Sequence, residues 1–437
     1  MSTPPAPKRS PRTRLKQALE SIERTGARLA RLAPRKVTSP TEAVAVAKRK
    51  HEARRRPSGL DFVLADRIAF VNPAHWDALA AQTVFLSRAY LQVLESHAPA
   101  NIEPRYALAY DQGRPVAAML FQRVLVGGER LRKPHAKSLL DKPMAGLQER
   151  LLVCGNLLVW GARGVALAPD VDPALLWHGV GEAMYRLRRG DKLLGESDIA
   201  LVKDFCGKAP AVRESLRLLG YRSVDTEPDM VLSLAPGWQC FDDYLASLTS
   251  GYRSSAKKLL KDCAAGGISL RAIDAAEMAT RQHELHALYQ QVHQAQGLRL
   301  ASLQPGYLPA MAQALGDGFV CRVAEVQGRA VGFVTAVKDG PTALGYYIGY
   351  DRQTNQQAPV YLALLQSTIQ DALRFGATRL SLGRTALEPK AKMGCKPEPL
   401  ACAARHRVGA VNGLVTALTR TAMHDEPPER SPFKQGG

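Results

Sequence analysis

Apolar and polar residues along this chain fall into the same succession twice. In the first half a helix-spaced stretch over 85–98 precedes two strand-like apolar runs, Tyr106–Tyr110 and Ala117–Val126. In the second half a helix-spaced stretch over 282–297 precedes Phe319–Val326 and Gly332–Val337. Apolar spacing of three to four residues predicts a helix face, and short apolar runs bounded by turn residues predict strands. Between the paired runs stand Gln112-Gly113-Arg114-Pro115-Val116 and Gln327-Gly328-Arg329-Ala330-Val331. A Gln-Gly pair in that position predicts a tight hairpin turn, because glycine accepts positive φ at little cost.

Both halves then continue alike. A strand (Leu151–Trp160; Ala343–Tyr350) leads through a loop into a helix opened by proline (Asp172-Pro173; Ala358-Pro359). Proline suits the first helical position, where its missing N–H has no helical partner to lose. A further strand follows each helix (Ile199–Phe205; Arg379–Gly383). The repeated order predicts an internal duplication, with about 30 extra residues in the first copy between hairpin and helix. It also predicts an α/β (α+β) fold in which each copy is a mixed, mainly antiparallel sheet flanked by helices. The breaker cluster Ala235-Pro236-Gly237 divides a first domain, 60–236, from a second, 237–420. A helix over Phe241–Cys263 is predicted as an insertion before the second hairpin. Its Arg253, Lys257, Lys258 and Lys261 spread over an arc of about 140°, as an ordinary solvated face does.

Charge changes the picture at the N-terminus. The formal net charge is +19, but residues 1–56 hold sixteen Lys and Arg against four Glu, leaving +7 for the other 381 residues. Residues 1–59 are therefore predicted as a basic, mostly disordered tail, with one amphipathic helix possible over Arg14–Ala33, and 421–437 as a second disordered tail. The basic tail offers a contact to tRNA or an anionic membrane. No apolar run approaches the roughly 20 residues that cross a bilayer. The seven cysteines form no CxxC pair, which together predicts reduced thiols and a cytoplasmic protein. His283, His286 and His293 share a predicted helix without carboxylate or cysteine at ligand spacing, so no metal site is expected.

The run Gly345-Tyr346-Tyr347-Ile348-Gly349-Tyr350-Asp351 is followed by the loop Arg352–Ala358, a proline-opened helix to Phe375, and Gly376. Then come Thr378–Gly383, Arg384 and Pro389-Lys390-Ala391-Lys392-Met393-Gly394. Together with Phe241-x-x-Tyr244-Leu245-x-x-Leu248 and Tyr252-Arg253, this resembles the FemAB-related, BioF2-like acyltransferase branch of the GNAT superfamily. The resemblance covers about residues 240–410 and is weaker over 85–235. It implies two tandem GNAT-like domains with the chemistry in the second. One departure stands out. Typical GNAT enzymes hold the coenzyme A pyrophosphate on an R/Q-x-x-G-x-G/A loop, whereas Arg352-Gln353-Thr354-Asn355-Gln356-Gln357-Ala358 has no glycine.

The resemblance implies direct attack of an amine on an acyl donor held where two strands part, without a covalent enzyme intermediate. It implies an oxyanion donor in the backbone near Ile348 or Gly349, and a proton-donating tyrosine among Tyr347, Tyr350 and Tyr361. Asp351 and Glu325 are candidate bases for the amine. The N-terminus of the helix after 359, with Arg352, Gln353, Asn355 and Gln356, is the candidate donor cradle. Arg384, Lys392, Lys390 and Arg253 are candidate acceptor-binding cations. The first copy has no visible counterpart of Arg384, since its strand ends Val202-Lys203-Asp204-Phe205, and it is expected to shape the acceptor site. Gly161-Ala162-Arg163-Gly164 is predicted as a hairpin turn. Expected co-substrates are an acyl-CoA, with no tightly bound cofactor, and an amine on a small molecule, peptide or envelope precursor. Aminoacyl transfer from a charged tRNA and a non-catalytic binding role are the competing expectations.

Overall fold

The computed structural model describes residues 56–127, 148–190, 196–206, 209–295, 300–409, 411–412 and 428–434, together with Ala45, Lys48 and Glu52. The expected helix over Arg14–Ala33 lies outside the described residues. The first half runs β1 (Asp61–Ala65), α1 (Pro73–Ala80), α2 (Arg88–His97), β2 (Ile102–Asp111), β3 (Arg114–Gly127), β4 (Gln148–Cys154), β5 (Val165–Leu167), α3 (Pro173–Gly190), β6 (Ile199–Cys206), α4 (Pro210–Leu218) and β7 (Arg222–Ser233). The second runs α5 (Phe241–Ser247), α6 (Ser250–Ala265), β8 (Ser269–Ile273), α7 (Ala275–Thr280), α8 (Gln282–His293), α9 (Tyr307–Leu315), β9 (Phe319–Val326), β10 (Arg329–Asp339), β11 (Thr342–Tyr350), α10 (Arg352–Gln357), α11 (Val360–Arg374), β12 (Arg379–Ser381), α12 (Leu387–Lys392) and β13 (Lys396–His406).

Both Gln-Gly hairpins form. Gln112 and Gly113 have φ of 48° and 83°, and Gln327 and Gly328 have 50° and 77°, the doubly left-handed turn that matches strand twist. Antiparallel pairing then carries β2 onto β3 and β9 onto β10.

The strands join in one sheet, ordered β1-β2-β3-β4-β6-β13-β7-β12-β11-β10-β9-β8, with β5 beside β3. Read from either edge, that order is the same list of counterparts. A pseudo-two-fold axis therefore passes between β13 and β7. Each half lends its last strand to the other: β13 lies between β6 and β7, and β7 between β13 and β12. The fold is thus a mixed α/β one with a mainly antiparallel sheet. Only β4 with β6 and β11 with β12 run parallel among the described strands, each pair bridged by its crossover helix, α3 or α11. The apolar stripe of α11 (Val360, Ala363, Leu364, Ile369, Ala372) is buried on the sheet. Close approach there is set by Gly332, where a Cβ would stand 2.8 Å from Val360 and Leu364.

Three expectations need correction. The single helix over Phe241–Cys263 is two, because Leu248 and Thr249 are extended. Leu248 turns inward and is buried against Phe433 in the same step. For the same reason 421–437 is not all tail. Phe433 packs on Trp238 and Tyr244, and the Thr249 and Lys434 amides donate to Pro432 O (2.8 Å) and Ser247 O (3.0 Å). The glycine-free stretch Arg352–Ala358 is not a loop but contains the short helix α10. Among the described residues no helix is long and apolar enough to cross a membrane.

Candidate active site

Register defines the place where the two halves diverge. In the second half Val334 faces Ile348 and Ala336 faces Gly345, so Tyr346 and Tyr347 together oppose Thr335 as a bulge. Thr335 Oγ1 fills the gap, accepting from the Tyr347 amide at 2.9 Å. In the first half the corresponding residue of β3 is Leu120, since Met119 faces Val165 and Phe121 faces Cys154. There β4 and β5 are one strand line interrupted by an excursion, residues 155–164, whose ends meet at Gly155 and Gly164. A Cβ on Gly164 would stand 2.3 Å from Gly155 Cα. The predicted hairpin turn at Gly161–Gly164 is the return leg of this excursion.

Beyond the bulge, β11 parts from its parallel neighbour. Pairing with β12 covers only Thr342–Leu344. The Asp351 amide donates to Val331 O and the Tyr347 amide to Thr335, both toward β10. By strand alternation the Ile348 and Tyr350 amides point the other way, into the opening, while Gly349 points back toward β10. Gly349 is needed for a different reason. A Cβ there would lie 2.5 Å from the Tyr289 amide and the Phe333 ring, so α8 rests directly on the strand.

The opening is a cavity of about 590 Å³. Its floor comes from β11 (Tyr346, Tyr347, Ile348, Tyr350), one wall from α11 (Tyr361, Leu365), and another from Arg384 and Lys390. α8 adds Tyr289, Val292 and His293, and a further wall belongs to the first half: Leu157–Trp160 of the excursion, and Lys203. This wall is fixed at nearly every residue. The Leu157 amide donates to Gln122 Oε1 (2.8 Å) and the Leu158 amide to Asn156 Oδ1 (2.9 Å). Tyr347 donates to Leu158 O (3.1 Å), Lys203 to Val159 O (2.7 Å), and the Trp160 indole to Ser381 Oγ (2.6 Å). Behind it, Asn156 donates to Tyr90 (2.6 Å), which meets Tyr307 (3.3 Å), which meets Tyr346 (2.8 Å). Those hydroxyls tie the first half to the floor of the cavity.

The expected residues fare differently. Tyr347, Tyr350, Tyr361, Ile348, Arg384 and Lys390 meet at the cavity. Burial raises the Tyr347 phenol well above its ordinary value and lifts Tyr361 to about 12, so both stay protonated at neutral pH. Tyr347, however, already spends its proton on Leu158. Asp351 is a helix cap rather than a base: Oδ1 accepts from the Thr354 amide and hydroxyl, both at 2.7 Å, and these bonds hold its pKa down. Glu325 is likewise engaged, pinned by Arg271 and Arg281, with its pKa lowered by those guanidiniums.

The donor cradle expected at the N-terminus of α11 is occupied by the chain itself. Asn355 Oδ1 accepts from the Tyr361 amide at 2.8 Å, and the Val360 amide turns to Ala358 O at 2.7 Å. The C-terminus of α6 also abuts this point, with Gly266 against Ala358. Arg352, Gln353 and Gln356 stand on α10, outside the cavity lining. Lys390 is buried and fully used, donating to Gly383 O (3.1 Å), Arg384 O (2.6 Å) and Thr385 O (2.8 Å). It steadies a turn in which Gly383, Thr385 and Ala386 all have positive φ, and burial lowers its pKa to about 8. Its donors all go to the backbone carbonyls of this turn, at the edge of the cavity. Lys392 lies on the far side of α12, 3.3 Å from Glu388, and Arg253 sits on α6, away from the cavity.

Arg384 has a counterpart after all. Register aligns it with Asp204, and the two side chains meet across the pseudo-axis in an ion pair that Lys203 also joins. Asp204 is fully buried; burial is the largest single effect and pushes its pKa up, but the charges and hydrogen bonds of Lys203 and Arg384 together outweigh it and hold the pKa down. Sequence reasoning missed Lys203, Tyr346 and Trp160. Tyr346 stood inside the recognised run, but Trp160 and Lys203 sit in the other half and carry no local signal.

Residues 248–391 match the family model of the acetyltransferase (GNAT) domain. The chain carries a GNAT-type domain in its second half. No curated protein matches it. Among solved structures it is similar to a tandem GNAT protein from the clavulanic acid biosynthesis pathway, with 11% identity, 79% of this chain and 98% of the other covered, and a TM-score of 0.48. It is also similar to FemX (10% identity, 78% and 96% covered, TM-score 0.47) and to L-PGS from Bacillus licheniformis (12% identity, 80% and 96% covered, TM-score 0.43). The half that carries the GNAT-type domain holds the open strand splay, and the first half holds a filled one.

Proposed function

We propose that the protein transfers an acyl group from an acyl-CoA to an amine acceptor by direct attack inside this cavity. The observation that supports this most is the parting of β11 from β12 just where the Ile348 amide faces the opening. An amide fixed in a strand stabilises a developing oxyanion without reorganising. Tyr361 and Tyr350 are the hydroxyls left to donate to the departing thiolate, since Tyr347 is engaged with Leu158. The acceptor enters against the wall of the first half, where Lys203 and Arg384 outnumber Asp204 by one charge and suit an acceptor carrying an anionic group. Its identity as small molecule, peptide or envelope precursor is a matter for substrate screening.

A second reading, aminoacyl transfer from a charged tRNA, is favoured by one observation: Asn355 caps the helix amide on which a pyrophosphate would ordinarily sit. Thiol release from a panel of acyl-CoAs with primary amines, run beside aminoacyl-tRNA, separates the two. Turnover with acyl-CoA that falls at least tenfold in Tyr361→Phe supports the first. Turnover with tRNA alone supports the second, and none with either returns the chain to a binding role.

A further inference from the structure

A second groove, also of about 590 Å³, is lined by α5, α6, α11 and α12. The last two helices line both spaces. Tyr361 and Leu365 of α11 face the cavity, while Leu362 and Gln366, each one position further on, face the groove. Lys390 of α12 faces the cavity, and Lys392 the groove. The groove's roof is α6, the helix inserted ahead of β8, which contributes the apolar Tyr252, Ala256 and Leu259.

Two features of the groove call for a ligand. Gln366 is only 8% exposed, yet its Oε1 has no hydrogen-bond partner among the described residues. A buried carbonyl oxygen left unpaired is costly, and it seeks an N–H or O–H donor. Lys392, which lines the groove, and Arg430 share the carboxylate of Glu388, so two cations meet one anion there among the described residues. Apolar walls, one amide acceptor and these cations fit a slender apolar chain that carries N–H groups and terminates in phosphate. The phosphopantetheine arm of an acyl-CoA has that chemistry.

The geometry points to this groove as the seat of the donor's non-reacting arm, with its phosphates at Lys392 and Arg430 instead of at the capped N-terminus of α11. The inference rests on the acyl-CoA reading above and makes it more specific. Chain-end chemistry then stays in the cavity, and the arm passes between α11 and α12 under the α6 roof.

The test is titration calorimetry of the full chain with CoA, comparing two sets of variants. Gln366→Leu and the exposed roof variant Ser255→Trp, which fills the groove without touching the core, are expected to weaken CoA at least tenfold. Lys392→Glu is expected to weaken it similarly and to flatten its salt dependence. Arg352→Ala and Gln356→Ala are expected to leave affinity within twofold. CoA binding that depends on Arg352 and Gln356 while tolerating Ser255→Trp and Lys392→Glu would overturn the groove and leave the acyl-CoA reading standing. No binding of CoA or any acyl-CoA by the wild-type chain would overturn both. A thermal melt of each variant guards against misfolding, and Ser255→Trp keeps the test decisive if Gln366→Leu does not fold.

Discussion

At one point on equivalent strands the two halves of this molecule part company. Opposite Thr335 the second half inserts two residues, Tyr346 and Tyr347, and its strand splay opens into a cavity. Opposite Leu120 the first half inserts residues 155–164, which return through Gly164 to the same strand line. The longer insertion fills its own half's splay: Lys203, at the end of β6, donates to Val159 O, and Asp204 accepts from the Gly161 amide. Its far side then walls the other half's cavity. The two halves thus differ by the length of one bulge, and the equivalent residues Asp204 of β6 and Arg384 beyond β12 pair with each other.

The largest effect should come from breaking that partnership. Asp204→Ala leaves Lys203 and Arg384 without their shared carboxylate and should cost about 3–5 kcal/mol in denaturant unfolding. Gly349→Ala tests the open half alone. Its Cβ collides with α8 and the Phe333 ring, so a loss of about 1–3 kcal/mol is expected. Its first-half counterpart is already alanine, Ala166, which shows that this close approach belongs to the second half. Tyr90→Phe removes the hydroxyl between Asn156 and Tyr307 and should cost about 1–3 kcal/mol. A smaller loss in thermal unfolding, with unchanged turnover, would mean that the halves are held by packing alone.

The smallest effect is a pH dependence at the outer edge of the second half. Hydrogen bonds from Arg271 hold Glu277 near 2 and lower Glu325 as well. Carboxylates with depressed folded pKa contribute stability above their unfolded value of about 4.3, which is lost as pH falls through the folded value. The Tm gap between wild type and Glu325→Gln should therefore be full above about pH 5 and shrink as the pH falls below the unfolded carboxylate value. A gap independent of pH would contradict the ion-pair account.

Much of this could be seen in the sequence. The hairpins were legible because Gln-Gly demands a left-handed turn, and the duplication was legible because helix and strand periods recur around them. The exchange of β7 and β13 was not, since pairing between residues 231 and 396 leaves no local trace. The site was half legible. Tyr347, Tyr350, Tyr361 and Arg384 lie on the recognised run, while the backbone partners of Asp351, Asn355 and Lys390 do not show in it. Each of these polar groups satisfies backbone amides or carbonyls at a helix end or a strained turn, and a sequence does not distinguish such a cap from a catalyst.

The central claim is one open splay per chain. Calorimetric titration with acetyl-CoA measures it directly, through stoichiometry. One equivalent bound per chain, with Asp204→Asn still binding one, is the predicted result. Two equivalents would show that the first half's splay also takes a donor, and would contradict the division between the halves on which this account stands.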